Sequence, residues 1–167
     1  MDILWLIILA IILIFGTVVF FGAPYLPTLK GQTKVALDLL DLKAGETLLE
    51  LGSGDGRLLR AAAEKGVYSI GIELNLLLVI YSKLRHWRYR RFIKVRWNNF
   101  WIHQLPETDG IYVFLHTRFM QKLDNKVTQE ITQPVKLVSF AFKIPDKTSI
   151  TSKKGMFLYE YKPLAQK

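Results

Sequence analysis

The sequence predicts an α/β domain built around a mostly parallel sheet and preceded by one membrane-crossing helix. Three observations carry that expectation. Short apolar runs of strand length alternate with helical periodicities from Thr47 to Tyr161. The first of these runs ends in the glycine-rich octet E-L-G-S-G-D-G-R, residues 50–57, where a strand gives way to a helix. Ahead of the domain, the nineteen residues Ile3–Phe21, ILWLIILAIILIFGTVVFF, carry no charge.

At about 1.5 Å per residue the uncharged run would extend roughly 28 Å, close to the apolar thickness of a bilayer. A cleaved signal peptide is the rival reading. Against it, only Asp2 precedes the run, where a signal would carry Lys or Arg, and the small pair Gly22-Ala23 is followed by Pro24. The basic flank, Lys30, Lys34 and Lys43, lies after the run and puts the C-terminal domain on the cytoplasmic side. In a source with mitochondria the inner membrane is the corresponding location. Residues 1–29 are thus expected to be anchor and connector, and residues 30–167 the domain. Within the connector, Gly22–Thr28 holds Pro24 and Pro27 and reads as stiff and extended.

The domain's elements follow in order. Thr33–Leu42 has an apolar face of Val35, Ala36, Leu39 and Leu40 and reads as an amphipathic helix. Thr47–Leu51 is a short buried strand, and Gly56–Lys65 is a helix closed by Gly66. Tyr68–Glu73 is a strand, Leu76–Arg88 a helix and Phe92–Trp97 a strand. Asp109–Leu115 is a strand and Thr117–Ile131 a helix. After Pro134 come the strands Val135–Phe142 and Met156–Tyr161. There is no internal repeat.

Composition narrows the chemistry. The 167 residues suffice for one domain with a real core. The chain has no cysteine, which excludes disulfides and thiolate metal sites. No histidine pair has metal-ligand spacing, so no metal is expected. Lys and Arg exceed Asp and Glu by nine, which favours an acidic partner such as nucleic acid or anionic lipid. The excess concentrates in Lys83–Arg96, with seven Lys or Arg in fourteen residues and His86, Trp87 and Tyr89 among them. A solvated helix face is the plain alternative. The preceding apolar run favours lipid over nucleic acid.

The octet could cradle a phosphate, a dinucleotide or a sulfonium cofactor. A phosphate loop would end in Gly-Lys-Ser/Thr, whereas Asp55-Gly56-Arg57 stands here. A dinucleotide loop carries few charges, and Glu50 and Asp55 would repel a pyrophosphate. The two carboxylates suit a ligand with an ammonium or a sulfonium, and S-adenosylmethionine has both. Gly52 and Gly54 let the backbone turn and approach the ligand, and Gly56 lets helix and strand pack closely. Glu73 ends the second strand seventeen residues after Gly56, in Gly71-Ile-Glu73-Leu-Asn75, where a carboxylate can accept both ribose hydroxyls.

These residues resemble those of the class I S-adenosylmethionine-dependent methyltransferases, with a Rossmann-like, seven-stranded sheet. More narrowly, the chain is similar to the membrane-anchored lysine methyltransferases of the ATP synthase c-subunit and the adenine nucleotide translocase, and to their prokaryotic relatives. The similarity covers about residues 16–161. It includes P-Y-L-P-T (24–28), L-E-L-G-S-G-D-G-R (49–57), A-A-A-E-K-G (61–66), G-I-E-L-N (71–75), L-V-I-Y-S-K (78–83) and N-F-W (99–101). It also includes F-M-Q-K-L (119–123), S-F-A-F-K-I-P (139–145) and L-Y-E-Y (158–161). The resemblance implies that Glu50, Gly52, Gly54 and Gly56 line the methionine part of the cofactor, with Ser53 and Asp55 of the same loop also cofactor-binding. It implies further that Glu73 holds the ribose, with Leu74 and Asn75 beside the adenosine. Where the family usually has an acid opening D-L-W, Asn99 stands here; an amide can still hydrogen-bond an adenine edge but brings no charge. Leu76 stands where a proline is common.

A lysine acceptor, near pKa 10.4 when free, must arrive neutral, and an aromatic pocket would favour that form. Tyr25, Phe100, Trp101, Phe114 and His116 are the candidates for such a pocket, with ordinary core packing as the alternative for each aromatic. Asn99, Trp101 and His116 are the candidate catalytic residues, His116 as a general base, with a capping or surface role as its weightier alternative. The expected function is methyl transfer to a lysine of a membrane-embedded protein. Two alternatives stand beside it: transfer to nucleic acid or a lipophilic small molecule, and a cofactor-binding scaffold without catalysis. The absence of an N-P-P-Y-type signature counts against base amino groups. The sequence leaves the oligomeric state open.

Overall fold

Parallel pairing needs a crossover connection between the strands, and this chain pairs its first five strands in that way. The structure, a computed structural model, describes residues 30–164 together with Ile3 and Trp5. The expected span Ile3–Phe21, the connector Gly22–Thr28 and Tyr25 otherwise lie outside the described residues. Among the described residues, no helix is long and apolar enough to cross a membrane.

The elements are α1 (Lys30–Leu40), β1 (Thr47–Leu51), α2 (Arg57–Ala63), β2 (Tyr68–Glu73), α3 (Leu76–Arg85), β3 (Ile93–Trp97), β4 (Gly110–Val113), α4 (Met120–Glu130), β5 (Val135–Phe140), β6 (Thr151–Lys153) and β7 (Met156–Tyr161). The strands form one seven-stranded sheet in the order β3-β2-β1-β4-β5-β7-β6. β1 to β5 pair in parallel, and β7 is antiparallel to both β5 and β6. The chain steps outward from β1 to β3, then returns to the other side of β1 to place β4. That reversal opens a crevice above the carboxyl ends of β1 and β4, where sheets of this type hold ligands.

Alternation along the strands divides the core. Leu48, Tyr112 and Val138 pack with α1 and α2, while Leu49, Leu51, Ile111, Val113 and Leu137 pack on the opposite face with Met120, Leu123 and Val127 of α4. Leu59, Ala63, Val79, Ile93 and Val95 form a smaller cluster under α2 and α3. No helix joins β3 to β4. The turns between them drop Phe100 and Leu105 into the α4 side of the core.

Several boundaries differ from the sequence reading for local reasons. Gly56 lies before α2 rather than in it, with a left-handed φ of 74°. Gly66 (φ 77°) turns the chain out after α2, as its position suggests. α3 stops at Arg85, and Trp87–Tyr89 continue as a 3-10 turn. Thr117–Phe119 is likewise a 3-10 turn ahead of α4. β5 ends at Phe140 because Ala141 takes a left-handed φ of 68°, and the Ser139 hydroxyl donates to the Phe142 carbonyl at 2.6 Å to close that turn. β6 went unread in the sequence: its hairpin turns on Lys154 and Gly155, both at positive φ, where Asn-Gly would have been the clear signal.

Glycine serves helix–strand packing at Gly71 rather than Gly56. A Cβ at position 71 would lie 2.6 Å from Leu59 Cδ1 and 2.6 Å from Ser53 Oγ, so β2 can sit against α2 and the glycine loop only without a side chain. Gly71→Ala is therefore expected to cost about 1–3 kcal/mol by overpacking. Urea unfolding should show a lower midpoint at unchanged slope.

Candidate active site

The glycine loop leaves β1 and folds back over β2. The N–H groups of Gly52 and Ser53 both donate to the Ile72 carbonyl, at 2.8 and 3.1 Å, and the Gly56 N–H donates to the Ser53 carbonyl at 2.8 Å. The Gly54 N–H donates to Glu73 Oε2 at 2.8 Å. Gly52, Gly54 and Gly56 all have left-handed φ, at 81°, 52° and 74°, which explains three glycines in five residues. A phosphate cradle works through free backbone N–H groups. Here these four are already bonded within the protein, so the loop is poorly made for an anion.

Two buried carboxylates face this region instead. Glu73 accepts at both oxygens, from Gly54 N–H and from Asn75 N–H, each at 2.8 Å. A carboxylate has about four acceptor positions, so two remain for hydroxyl donors. Glu50 is buried, and its Oε2 has no hydrogen-bond partner among the described residues. Burial pushes the Glu50 carboxyl well above the usual range, the charges of Asp55 and Glu73 add to the rise, and Arg57 opposes it. An unsatisfied buried carboxyl of this kind is what a ligand ammonium would satisfy.

Asp55 is placed differently from the sequence reading, which counted its charge toward a ligand. Its carboxylate receives Nε and a terminal nitrogen of Arg57, the latter at 2.7 Å, and Arg85 of α3 at 3.1 Å. Burial alone would raise its pKa, but the bonds and charge of Arg57, with Arg85, hold it below the ordinary carboxylate value. Asp55 thus ties loop to helices. The Asp55 carbonyl lies 2.9 Å from His86 Nε2. Burial keeps His86 below its usual pKa, so the neutral ring donates there. Sequence reasoning missed His86 and Ser82 as loop supports. A Cβ on Gly56 would lie 2.3 Å from Ser82 Oγ and 3.0 Å from the His86 ring.

Asn75 caps α3, its Oδ1 accepting from Leu77 N–H at 2.9 Å and Leu78 N–H at 3.4 Å. Its Nδ2 is buried without a partner among the described residues. Leu74 offers its carbonyl to Trp97 Nε1 at 2.9 Å. Ser53 is buried beneath the loop against Gly71. Gly52 has open space where a side chain would stand. Open space beside the glycine, a free amide donor and an unpaired carboxyl fit a polar, cationic nucleoside ligand.

The candidate catalytic residues lie beyond β3 and β4. Asn99 Oδ1 accepts from Trp101 N–H at 3.0 Å, shaping the turn. The Trp101 ring packs on Phe100 and Phe119, with Lys122 Nζ 4.6 Å above it. His116 joins the same neighbourhood through its carbonyl, which accepts from Phe119 N–H at 2.9 Å. Its ring is exposed, lies beside Phe142, and accepts the Arg118 N–H at Nδ1, 3.4 Å away. The side chain thereby caps the 3-10 turn Thr117–Phe119, the alternative that stands beside a general base in the sequence reading. Phe100 is core, and Phe114 packs on Phe140 with the two rings tilted by 55°.

The model of the family described as "ANTKMT methyltransferase domain" matches residues 50–151, from the glycine loop to β6. The chain belongs to that family. Among curated proteins it is 30% identical over 125 residues to the ATP synthase c-subunit lysine N-methyltransferase of Xenopus laevis, covering 74% of this chain and 55% of that protein. It is 32% identical over 125 residues to the adenine nucleotide translocase lysine N-methyltransferase of Mus musculus, covering 73% and 54% respectively. The chain spans about half the length of the curated relatives it matches. A solved RNA methyltransferase from Salinibacter ruber, in complex with S-adenosyl-L-homocysteine, shares the fold at a TM-score of 0.75 and 23% identity, over 84% of this chain and 95% of that one. A solved SAM-dependent methyltransferase from Thiobacillus denitrificans, 20% identical at a TM-score of 0.58 over 74% of this chain and 54% of that one, is likewise in complex with S-adenosyl-L-homocysteine, the demethylated form of the cofactor expected from the sequence.

Glu50 gives a two-sided test. Its raised folded-state pKa means that the ionised form is penalised on folding. The cofactor-free fold therefore loses stability as pH rises from the unfolded value, about 4.3, through the raised one. Glu50→Gln should unfold at a higher temperature than the parent at neutral pH and show a flatter pH dependence. Its affinity for S-adenosylhomocysteine should fall roughly tenfold or more, from a charged hydrogen bond of about 1.5–3 kcal/mol. Scanning fluorimetry and titration calorimetry read the two effects separately.

Proposed function

We propose that the protein is a membrane-anchored protein-lysine N-methyltransferase that modifies a membrane-embedded protein from the cytoplasmic side. The carrying observation is the family match, which runs through both carboxylate walls of the site, with lysine N-methyltransferases among the relatives. The uncharged run Ile3–Phe21 supports the anchor, and the basic stretch Lys83–Arg96 supports a membrane-surface location.

When bound, S-adenosylmethionine supplies a methyl group on a cationic sulfur, ready for direct displacement by an aligned nucleophile. Glu50 would hold the ammonium, Glu73 the ribose hydroxyls, and Asn75 Nδ2 a nearby polar edge. The chain's remaining task is to align the acceptor and exclude water. Trp101, Phe119, Phe114, Phe140 and Phe142 bring aromatic surface to the ends of β3, β4 and β5. Such a rim disfavours the charged ammonium of an incoming lysine, which loses its proton to solvent on entry. Asn99 acts through the turn that sets Trp101.

The test is transfer from labelled cofactor to host membranes by the full chain, with Gly54→Arg as the inactive control. Label in a small hydrophobic protein, found as methyl-lysine by mass spectrometry and absent with the control, is the expected result. Label in RNA or in extractable lipid would overturn the acceptor assignment, and binding without transfer would favour a scaffold.

A further inference from the structure

The inward side of α3 is narrow. Val79 and Ser82 are its buried residues, followed by buried His86 just past its end. The outward side carries Leu76, Leu77, Ile80, Tyr81 and Leu84, all between 42% and 72% exposed. At about 100° per residue these five fall within an arc of about 140°, opposite the buried residues. Lys83 and Arg85 fall at the two borders of that arc. Trp87, 62% exposed, extends it into the following turn. Trp97, also exposed, is fixed beside the start of α3 by its bond to the Leu74 carbonyl. A surface helix of a soluble domain turns such a face inward; this one turns it out.

The surrounding charge is one-signed. Leu76–Trp97 holds seven Lys or Arg and no Asp or Glu in 22 residues. Among the described residues, Lys83, Arg88, Arg90, Arg91, Lys94 and Arg96 have no carboxylate partner. An apolar strip of Leu, Ile, Tyr and Trp bordered by cations matches the boundary between acyl chains and anionic headgroups. A second protein would have to offer an apolar groove rimmed by carboxylates to match it.

We propose that the outward face of α3, Leu76 to Trp87 with Trp97, inserts into the headgroup–acyl boundary of an anionic bilayer. Because α3 starts at Asn75, insertion holds the cofactor crevice beside the membrane surface in one orientation. Insertion of this face does not depend on the lysine acceptor, since the position of a probe reads it and methyl transfer does not.

The chain has no cysteine, so single-site labelling is direct. Leu84→Cys, with Lys154→Cys on the β6–β7 turn at the far sheet edge as control, would carry an environment-sensitive fluorophore in the full chain. Both would be reconstituted in vesicles of phosphatidylcholine with phosphatidylglycerol. The expected result is severalfold stronger quenching by brominated lipid at position 84 than at position 154, with protection from aqueous iodide at 84 only. The difference should shrink severalfold in phosphatidylcholine alone, and again with Arg88→Glu, Arg90→Glu and Arg91→Glu, whose circular dichroism should match the parent. Iodide access at position 84 in anionic vesicles would overturn the proposal. So would protection from both quenchers, which would mean that a second copy or the chain's own N-terminal run covers the face.

Discussion

The Glu73 carboxylate is the joint on which this site depends. One oxygen takes the Gly54 N–H from the loop after β1, and the other takes the Asn75 N–H from the turn after β2. Those two segments are nineteen and two residues from Glu73 in sequence, and the carboxylate fixes their spacing by bonding both at once. Removing a carboxylate from water costs several kcal/mol, and hydrogen bonds to a charged group return about 1.5–3 kcal/mol each. With both bonds made, the charge is held in place and half its acceptor capacity still faces outward. The loop is thereby shaped before any ligand arrives, which lowers the ordering cost of binding.

A second knot supports the first from behind. Asp55 gathers Arg57 from α2 and Arg85 from α3, while its carbonyl takes the His86 ring. Gly56 must be bare for that arrangement, because Ser82 and His86 occupy the space of a side chain. So two of the loop's carboxylates have opposite uses. Asp55 is neutralised by arginines and serves the fold. Glu50 is left buried, with one oxygen unpartnered among the described residues and open to the proposed ligand ammonium. The same contrast of environments separates their pKa values, one pushed down and one up.

The sheet, its parallel half and the crevice were legible because strand and helix periodicities and three positive-φ glycines write themselves into local sequence. Gly66 and Glu73 were legible for the same reason: each sits at an element end with one strong local cause. The pairing of Asp55 with Arg85 was not, since it joins residues thirty apart whose approach only the packing of α3 decides. Ser82 and His86 look like ordinary helix residues until Gly56 is placed against them. The hairpin at Lys154-Gly155 escaped because lysine carries none of the turn chemistry that asparagine would have shown. The Lys83–Arg96 run was visible as charge, but its apolar companion was not. Nothing in the sequence of Leu76, Leu77, Ile80 and Leu84 tells which side of α3 meets the sheet.

The outward turn of that apolar face also governs how force reaches the cofactor loop. α3 contributes little burial to the core, with Val79 and Ser82 inside and much larger side chains outside. Beside the packing of Val79 on Ile93 and Val95, it is held by polar anchors at its two ends: the Asn75 cap and Glu73 at the start, Arg85 and His86 on Asp55 at the finish. Both anchors are also parts of the cofactor loop's support. A helix attached partly through the site transmits force on its outer face to the loop as well as to the core. If the apolar face lies in a bilayer, the membrane and the cofactor loop bear on the same rigid element from opposite sides. The position of the crevice is then set by the lipid boundary as well as by the fold.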